Sequence, residues 1–363
     1  MPDDTAIHRS ASSEPRGPAG GLGVVVIGRN EGDRLARALA AVVAPGRTVV
    51  YADSGSRDGS PARARAIGAH VVELTSGPHT AARGRQAGVD ELLRLHPGAT
   101  LVQFIDGDCL VHREWLAAAR RFLEENPRVA AVTGRRREER SAESFWSRLV
   151  DIDWDEPIGP STIPGGDFLC RTDALREVGG WGTALIAGED PDLGFRLVAA
   201  GWGVHRLPDE MASHDVAMRG FRAYWRRAVR SGYAFAEVGW RHRRGAGRGF
   251  LRLAAGCVFY AGVLPIAAVA AGLLWWPLVL IPALLYARYF LVTAWWCRRR
   301  GRSPALALTY AALNLLCKLA GLIGVLKYAV AALFGRGTGI IEYKSPAPVL
   351  SVPGGAQQGS SPR

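Results

Sequence analysis

The sequence predicts an α/β protein, a mostly parallel central sheet with helices on both faces, followed by an α-helical membrane segment. Three observations predict it. Between residues 22 and 134, short apolar runs alternate with stretches of helical periodicity, the pattern of a parallel sheet covered on both faces. Several of those runs end in acidic or amide residues, at Asn30-Glu31, Asp53 and Asp106, so polar groups gather at the carboxyl edge where such sheets bind ligands. Composition then changes near residue 251, and the stretch to 334 is mostly Leu, Ala, Val, Ile, Trp and Tyr.

Each element follows in order. Residues 23–28 form a Val-rich first strand, and a helix over about 33–43 sets Leu35, Leu39 and Val42 on one face. A second strand, 48–52, ends at Asp53-Ser54-Gly55-Ser56-Arg57-Asp58-Gly59-Ser60, and a helix runs on to about Ile67. A strand over 71–74 and a long helix over 80–95 come next. The strand 101–105 runs straight into Asp106-Gly107-Asp108; a helix over 113–125 and a strand over 129–133 complete this half. Beyond Gly134 the pattern loosens into a charged stretch, then a short strand over 168–171, Gly179-Gly180-Trp181, and Gly188-Glu189-Asp190. Pro191 suits the first turn of a helix reaching about Ala200, which places Asp190 at the positive end of that helix. A helix over about 221–238 carries Arg222, Arg226, Arg227 and Arg230 among Tyr224 and Trp225.

Residues 253–272 and 274–296 are each long enough to cross about 30 Å of hydrocarbon. Arg241, Arg243, Arg244, Arg248 and Arg252 precede them; Arg298, Arg299, Arg300 and Arg302 follow. Positive residues inside then predict a hairpin with both ends, and the domain before it, cytoplasmic, the arginines meeting anionic membrane lipids. Arg288 within the second span is expected to face its partner or reach the interface. The segment 305–334 is ambiguous: Asn314 and Lys318 share a face, Lys327 lies nearly opposite, and a broken interfacial element is expected. Residues 1–21 are expected to be a disordered leader and 345–363 a disordered tail. Between them the chain divides into a domain over 22–240, with halves 22–134 and 135–240, and membrane-associated helices over 241–344.

A net charge of +12 is accounted for by the clusters beside the apolar spans, and no nucleic-acid module signature is present, so nucleic acid is not an expected partner. The five cysteines never fall in a Cys-x-x-Cys spacing, which argues against a disulfide frame or zinc site and fits a reducing compartment. Four Asp-x-Asp spacings occur, at 106/108, 151/153, 153/155 and 190/192; only the first follows an apolar strand. Paired oxygen ligands at a strand end suit Mg²⁺ or Mn²⁺, with water and substrate phosphates in the remaining positions.

The succession Val-Ile-Gly-Arg-Asn-Glu, Ala-Asp-Ser-Gly-Ser-Arg-Asp-Gly-Ser, Phe-Ile-Asp-Gly-Asp, Gly-Gly-Trp and Gly-Glu-Asp over about 22–240 resembles a family 2 inverting glycosyltransferase with the A-type nucleotide-diphospho-sugar fold. The resemblance implies a nucleotide-diphospho-sugar donor. Asn30, Glu31, Asp53, Arg85 and Asp106 would line its nucleotide site, although Gly28 and Arg29 stand where the family has a proline and Gln86 replaces an Asn. It implies a metal site at Asp106, Asp108 and His214, which lies 24 residues beyond Asp190. Asp190 becomes the general base, with Glu189 beside it, and Trp181 an acceptor-binding aromatic. Arg226, Arg227 and Arg230 would close over the diphosphate; the Gln and Trp of processive members are missing there, which fits single transfer. A capping role for Asp53, a core position for Trp181 and a lipid-facing role for the arginines stay open at this point. The expected enzyme is a membrane-anchored hexosyltransferase acting on a lipid-linked or membrane-proximal hydroxyl acceptor. A polyprenyl-phosphate sugar synthase is the nearest alternative, and a catalytically silent scaffold subunit the alternative of another class.

Overall fold

The protein, in a computed structural model, is described over residues 21–142, 144–218 and 220–335. The expected leader, apart from Gly21, and the expected tail lie outside the described residues. In chain order the first half holds β1 (Gly21–Gly28), α1 (Asp33–Val42), β2 (Val49–Asp53), α2 (Ser60–Ile67), β3 (His70–Glu73), α3 (Ala81–Leu95), β4 (Ala99–Asp106), β5 (Cys109–Val111), α4 (Trp115–Glu125) and β6 (Val129–Glu138). The second holds α5 (Phe145–Asp153), β7 (Gly159–Ser161), β8 (Phe168–Arg171), α6 (Thr172–Glu177), α7 (Glu189–Ala199), β9 (Gly203–His214) and α8 (Phe221–Arg241). Then come α9 (Arg248–Val258), α10 (Leu264–Leu274), α11 (Leu280–Arg299) and α12 (Pro304–Phe334).

Nine strands form one sheet in the order β3-β2-β1-β4-β8-β6-β9-β5, with β7 on β9. β1 to β4 are mutually parallel, and β6 pairs with β9 in parallel; β8 runs against both β4 and β6. Alternation along β1 sends Val24 and Val26 to a core with Leu35, Leu39, Tyr51 and Trp115, and Val25 to a second core with Val89, Leu92, Phe104 and Phe168. The sheet is therefore buried on both faces, and only its edges and strand ends are free to carry chemistry.

β6 and α12 depart from the sequence expectation, and β9 had no place in it. β6 does not stop at Thr133 but continues through Arg135, Arg136 and Arg137 to Glu138, paired with β9 as far as Glu138 opposite His214. α12 is a single continuous helix rather than a broken element. Its polar groups are satisfied by α11 without a break: the Tyr289 hydroxyl donates to Asn314, and the Lys318 ammonium lies 5.1 Å from the Tyr289 ring centre.

Three stretches, Arg248–Leu274, Trp276–Arg299 and Pro304–Phe334, are long and apolar enough to cross a membrane. The third packs on α8 so closely that the backbones touch: a β-carbon on Gly232 would stand 2.1 Å from the Gly321 carbonyl oxygen, and one on Gly324 would stand 2.1 Å from that of Val229. The arginines after α11, expected to face lipid, instead reach the sheet domain in part. Arg302 contacts Asp151 at 3.2 Å and Asp155 at 3.8 Å, Arg300 contacts Asp155 at 3.8 Å, and the Tyr310 hydroxyl donates to Asp153 at 2.7 Å.

Candidate active site

A cavity of about 850 Å³ lies at the carboxyl edge of the sheet and reaches the apolar helices. Arg29, Asn30, Glu31 and Ser54 line it, with Arg85, Asp106, Glu189, Asp190 and His214, and with Asn314, Cys317 and Lys318 of α12.

Arg85 is the hub. It lies on the second turn of α3, whose N-terminus is capped by Thr80, and it is 2% exposed. Its guanidinium reaches Asp106 at the end of β4 at 2.8 Å, and Glu189 at 3.2 Å and Asp190 at 3.3 Å at the start of α7. One buried cation thus ties the sheet edge to the helix that carries the proposed base. Close by, Gly166 leaves room that a side chain would fill, since a β-carbon there would lie 2.8 Å from both Arg85 and Asp106.

Environment sets the two neighbouring carboxyls apart. Burial raises Glu189, but Arg230 at 3.8 Å and Arg85 outweigh it and hold it below the usual carboxylate range. Burial pushes Asp190 up to about 7; Arg85 opposes the rise, and Glu189 and Asp106 add to it. One Asp190 oxygen contacts Arg85 at ion-pair distance but completes no hydrogen bond, so an acceptor site is left on a carboxyl that lines the cavity. A base of that character is matched to a proton transfer near neutral pH.

Asp108 and His214 form the pair able to hold a divalent cation. They meet at 3.4 Å across the β5–β9 pairing, which sets Cys109 opposite His214. The other ring nitrogen of His214 lies 3.0 Å from Glu138, whose second oxygen accepts from the Val216 backbone at 3.0 Å. A carboxylate behind a ligating histidine fixes its tautomer and ring orientation, the support a metal site needs. Burial, more than the nearby Asp215 and Asp108, pushes Glu138 up to about 8, with the Val216 N–H opposing. Cys109 lies near the pair, and burial, with Asp167, pushes its thiol up, which favours the protonated form over a thiolate. The remaining oxygen and imidazole donors suit Mn²⁺ or Mg²⁺ better than a thiolate-preferring metal.

The expected site residues fall into different surroundings. Asp106 pairs with Arg85 at 2.8 Å and, at 3.9 Å, with Arg136. Asp53 is 1% exposed, and its oxygens accept from the Tyr51 hydroxyl and from the Gly55 and Ser56 backbone, so it holds the turn after β2. Trp181 is 3% exposed and packs against Phe104, Phe168 and Arg85 in the core, away from the cavity. Of the three arginines on α8, Arg227 and Arg230 line the cavity while Arg226 is exposed outside it. Asn30 and Glu31 do line the rim: Asn30, at φ 55°, bonds the turn through Ser56 and Arg57, and Glu31 pairs with Arg34 at 2.8 Å.

Four residues had gone unassigned: Arg136, Glu138, Trp154 and Asp167. Asp167 is buried, accepts from the Asp106 backbone N–H at 2.7 Å and pairs with Arg136 at 3.1 Å. Trp154 is one of the aromatic residues lining the cavity, with the Arg136 guanidinium 4.0 Å from its ring centre and His214 edge-on at 4.4 Å. The signal that would have found Arg136 and Glu138 was the alternation of Arg135 to Glu138, legible only once the strand is known to extend.

Residues 101–316 match the profile of Glycosyl transferase family group 2, and residues 23–174 that of Glycosyl transferase family 2. The chain is 28% identical over 221 residues to Pre-mycofactocin glycosyltransferase of Mycobacterium tuberculosis, over 56% of this chain and 45% of that protein. It thus spans about half the length of the curated relatives it matches. A mannosyltransferase of Pyrobaculum calidifontis, solved with GDP-Man and Mn²⁺, shares the fold at a TM-score of 0.51 and 19% identity, with 87% of each chain covered.

Proposed function

The chain belongs to glycosyltransferase family 2, and on that premise we propose that it moves a single sugar from a nucleotide-diphospho-sugar to the hydroxyl of a lipid-linked or membrane-proximal acceptor, with inversion. The observation that carries this reading is the Arg85 hub, which binds Asp106, Glu189 and Asp190 around one cation inside the cavity that His214 also lines.

In this reading the nucleoside sits at the rim formed by Asn30 and Glu31, and Asp53 serves it by fixing the turn behind. Arg230 and Arg227 face the diphosphate from α8. Asp108 and His214 would hold a divalent cation, which would supply Lewis-acid neutralisation of the charge on the departing diphosphate. Asp190 takes the proton from the acceptor hydroxyl as that oxygen bonds to the anomeric carbon from the face opposite the diphosphate. The bond from the anomeric carbon to the β-phosphate oxygen breaks, and its electron pair leaves with the nucleoside diphosphate. Glu189, held ionised by Arg230 and Arg85, keeps Asp190 from being fully neutralised by Arg85 and so keeps it basic. The apolar helices after the sheet domain give the reason for a membrane-held acceptor, and a cytoplasmic sheet domain follows from the arginines around the first two of them.

The test is Asp190→Asn. Transfer should fall by roughly a thousandfold or more, the scale of a lost general base, while stabilisation by a nucleoside diphosphate with Mn²⁺ is retained. Full transfer by this variant would refute the base and favour an acceptor that attacks through an ionised phosphate. A wild-type protein that binds no nucleoside diphosphate with either metal would instead point to a silent scaffold.

A further inference from the structure

We propose that the α12 wall of the cavity binds the phosphate of the lipid-linked acceptor, with Lys318 as its cation and Asn314 beside it. This deepens the glycosyl-transfer reading and rests on it.

The cavity does not stop at the base. Its lining also includes Ala234 and Phe235 of α8, Phe250 and Cys257 of α9, and Asn314, Cys317, Lys318 and Gly321 of α12. Most of that wall is apolar. A nucleotide sugar has no use for such a wall, because its charged and hydroxylated parts are met at the sheet edge. A long apolar chain does.

Lys318 is the exception in this wall. It stands in the middle of a helix otherwise rich in Leu, Ala, Val and Gly, one turn after Asn314 on the same face. Among the described residues its recorded partner is the Tyr289 ring, at 5.1 Å, and no carboxylate lies within ion-pair reach of it. The other cations of this part of the cavity are engaged by acids: Arg227 with Asp153 at 3.2 Å and Arg230 with Glu189 at 3.8 Å. A lysine within an apolar helix is costly and is retained where it faces a pathway or a ligand. A compact ammonium on a flexible stem, with an amide a turn away, is suited to a phosphate taken as a point charge.

The glycine seam supplies the placement. Because α8 and α12 touch backbone to backbone at Gly232 and Gly321, the polar site and the apolar helices share one wall. An acceptor lying in the cavity would present its hydroxyl to Asp190, its phosphate to Lys318 and its chain to the apolar part of the lining, Ala234, Phe235, Phe250 and Cys257. The phosphate is a handle here and not the nucleophile.

The experiment uses the full chain in nanodiscs of a neutral lipid, with dodecyl phosphate, dodecanol and inorganic phosphate as probes and tryptophan fluorescence as the binding readout. Wild type should bind dodecyl phosphate at least tenfold more tightly than dodecanol or inorganic phosphate, the scale of one charge-assisted contact. Lys318→Met should abolish that preference and Lys318→Arg should restore most of it. Lys327→Met removes an equal charge from an exposed position on the same helix and should bind as wild type does. Equal binding of dodecyl phosphate by wild type and Lys318→Met would overturn the proposal. So would wild-type binding of inorganic phosphate as tight as dodecyl phosphate, which would mark a free-anion site, or of dodecanol, which would mark an apolar groove only. Stabilisation by a nucleoside diphosphate with Mn²⁺ reports folding of each variant. Its absence in wild type would defeat the glycosyl-transfer reading while leaving the alkyl phosphate result to stand or fall alone.

Discussion

Asp190 carries opposite burdens for stability and for chemistry. Its unfolded value is near 3.9 and its folded value about 7, so between these the folded chain holds a proton that the unfolded chain has released. Stability from this group is thus complete below about pH 4 and is lost as pH rises through 7. Asp190→Asn should therefore be the more stable protein at pH 8, by about 1 to 2 kcal/mol once exposure at the cavity wall is allowed for, and the gap should close towards pH 4. The same titration should appear in turnover, with kcat/KM falling about tenfold per pH unit below 7. Thermal melts and a pH–rate profile read both; a variant no more stable than wild type at pH 8 would refute the buried-charge account. Asp106, Asp108, Glu189 and Asp190 were legible as residues because each sits in a short motif at an element end. Their partnerships were not: Arg85 pairs with Asp106, Glu189 and Asp190, and that follows from where α3 lies against β4, which no spacing reveals. Trp181 misled for a related reason, since Gly-Gly-Trp fixes a loop path but not the face its ring takes.

At the level of elements, the parallel half was readable because β1, β2 and β4 are buried on both faces and read as mostly apolar runs. β9 was missed because Arg206, Pro208, Asp209 and Glu210 interrupt its pattern; it pairs with β6, itself charged, around the cavity. Sequence reasoning fails here where a strand carries the site instead of the core. The α8–α12 seam is the element-level feature that a substitution probes best. Gly321→Val would place a branched side chain against Cys257, whose sulfur lies 2.5 Å from a β-carbon at that position, beside the Gly232 backbone. Overpacking of this kind costs about 1 to 3 kcal/mol. The expected result is a lower melting temperature in detergent together with weaker acceptor-dependent turnover; an unchanged melting temperature would mean that the seam is not closed in solution.

In the whole molecule, a second set of contacts joins the sheet domain to the apolar helices. Asp151, which bonds the Glu138 backbone N–H at 3.2 Å and Arg302 at 3.2 Å, is the shared post. Asp151→Ala leaves a buried N–H without its acceptor and Arg302 with the longer contact to Asp155, a loss of about 2 kcal/mol. A drop of several degrees in the melting temperature of the full chain should follow, and a shift below one degree would show the contact to be idle. The Asp-x-Asp spacings at 151/153 and 153/155 are thus accounted for as fastenings between the two parts of the chain, through Arg302, Arg300 and Tyr310.

With α8 and α12 joined at their backbones, the distance from Asp190 to the apolar helices is fixed by construction. In the proposed arrangement that makes the cavity a ruler. An acceptor whose phosphate rests at Lys318 brings one particular hydroxyl to the base, and the product, longer by one sugar, carries its new terminal hydroxyl past it. Addition of one unit and then release would follow from a fixed length, with no need for a separate signal to stop.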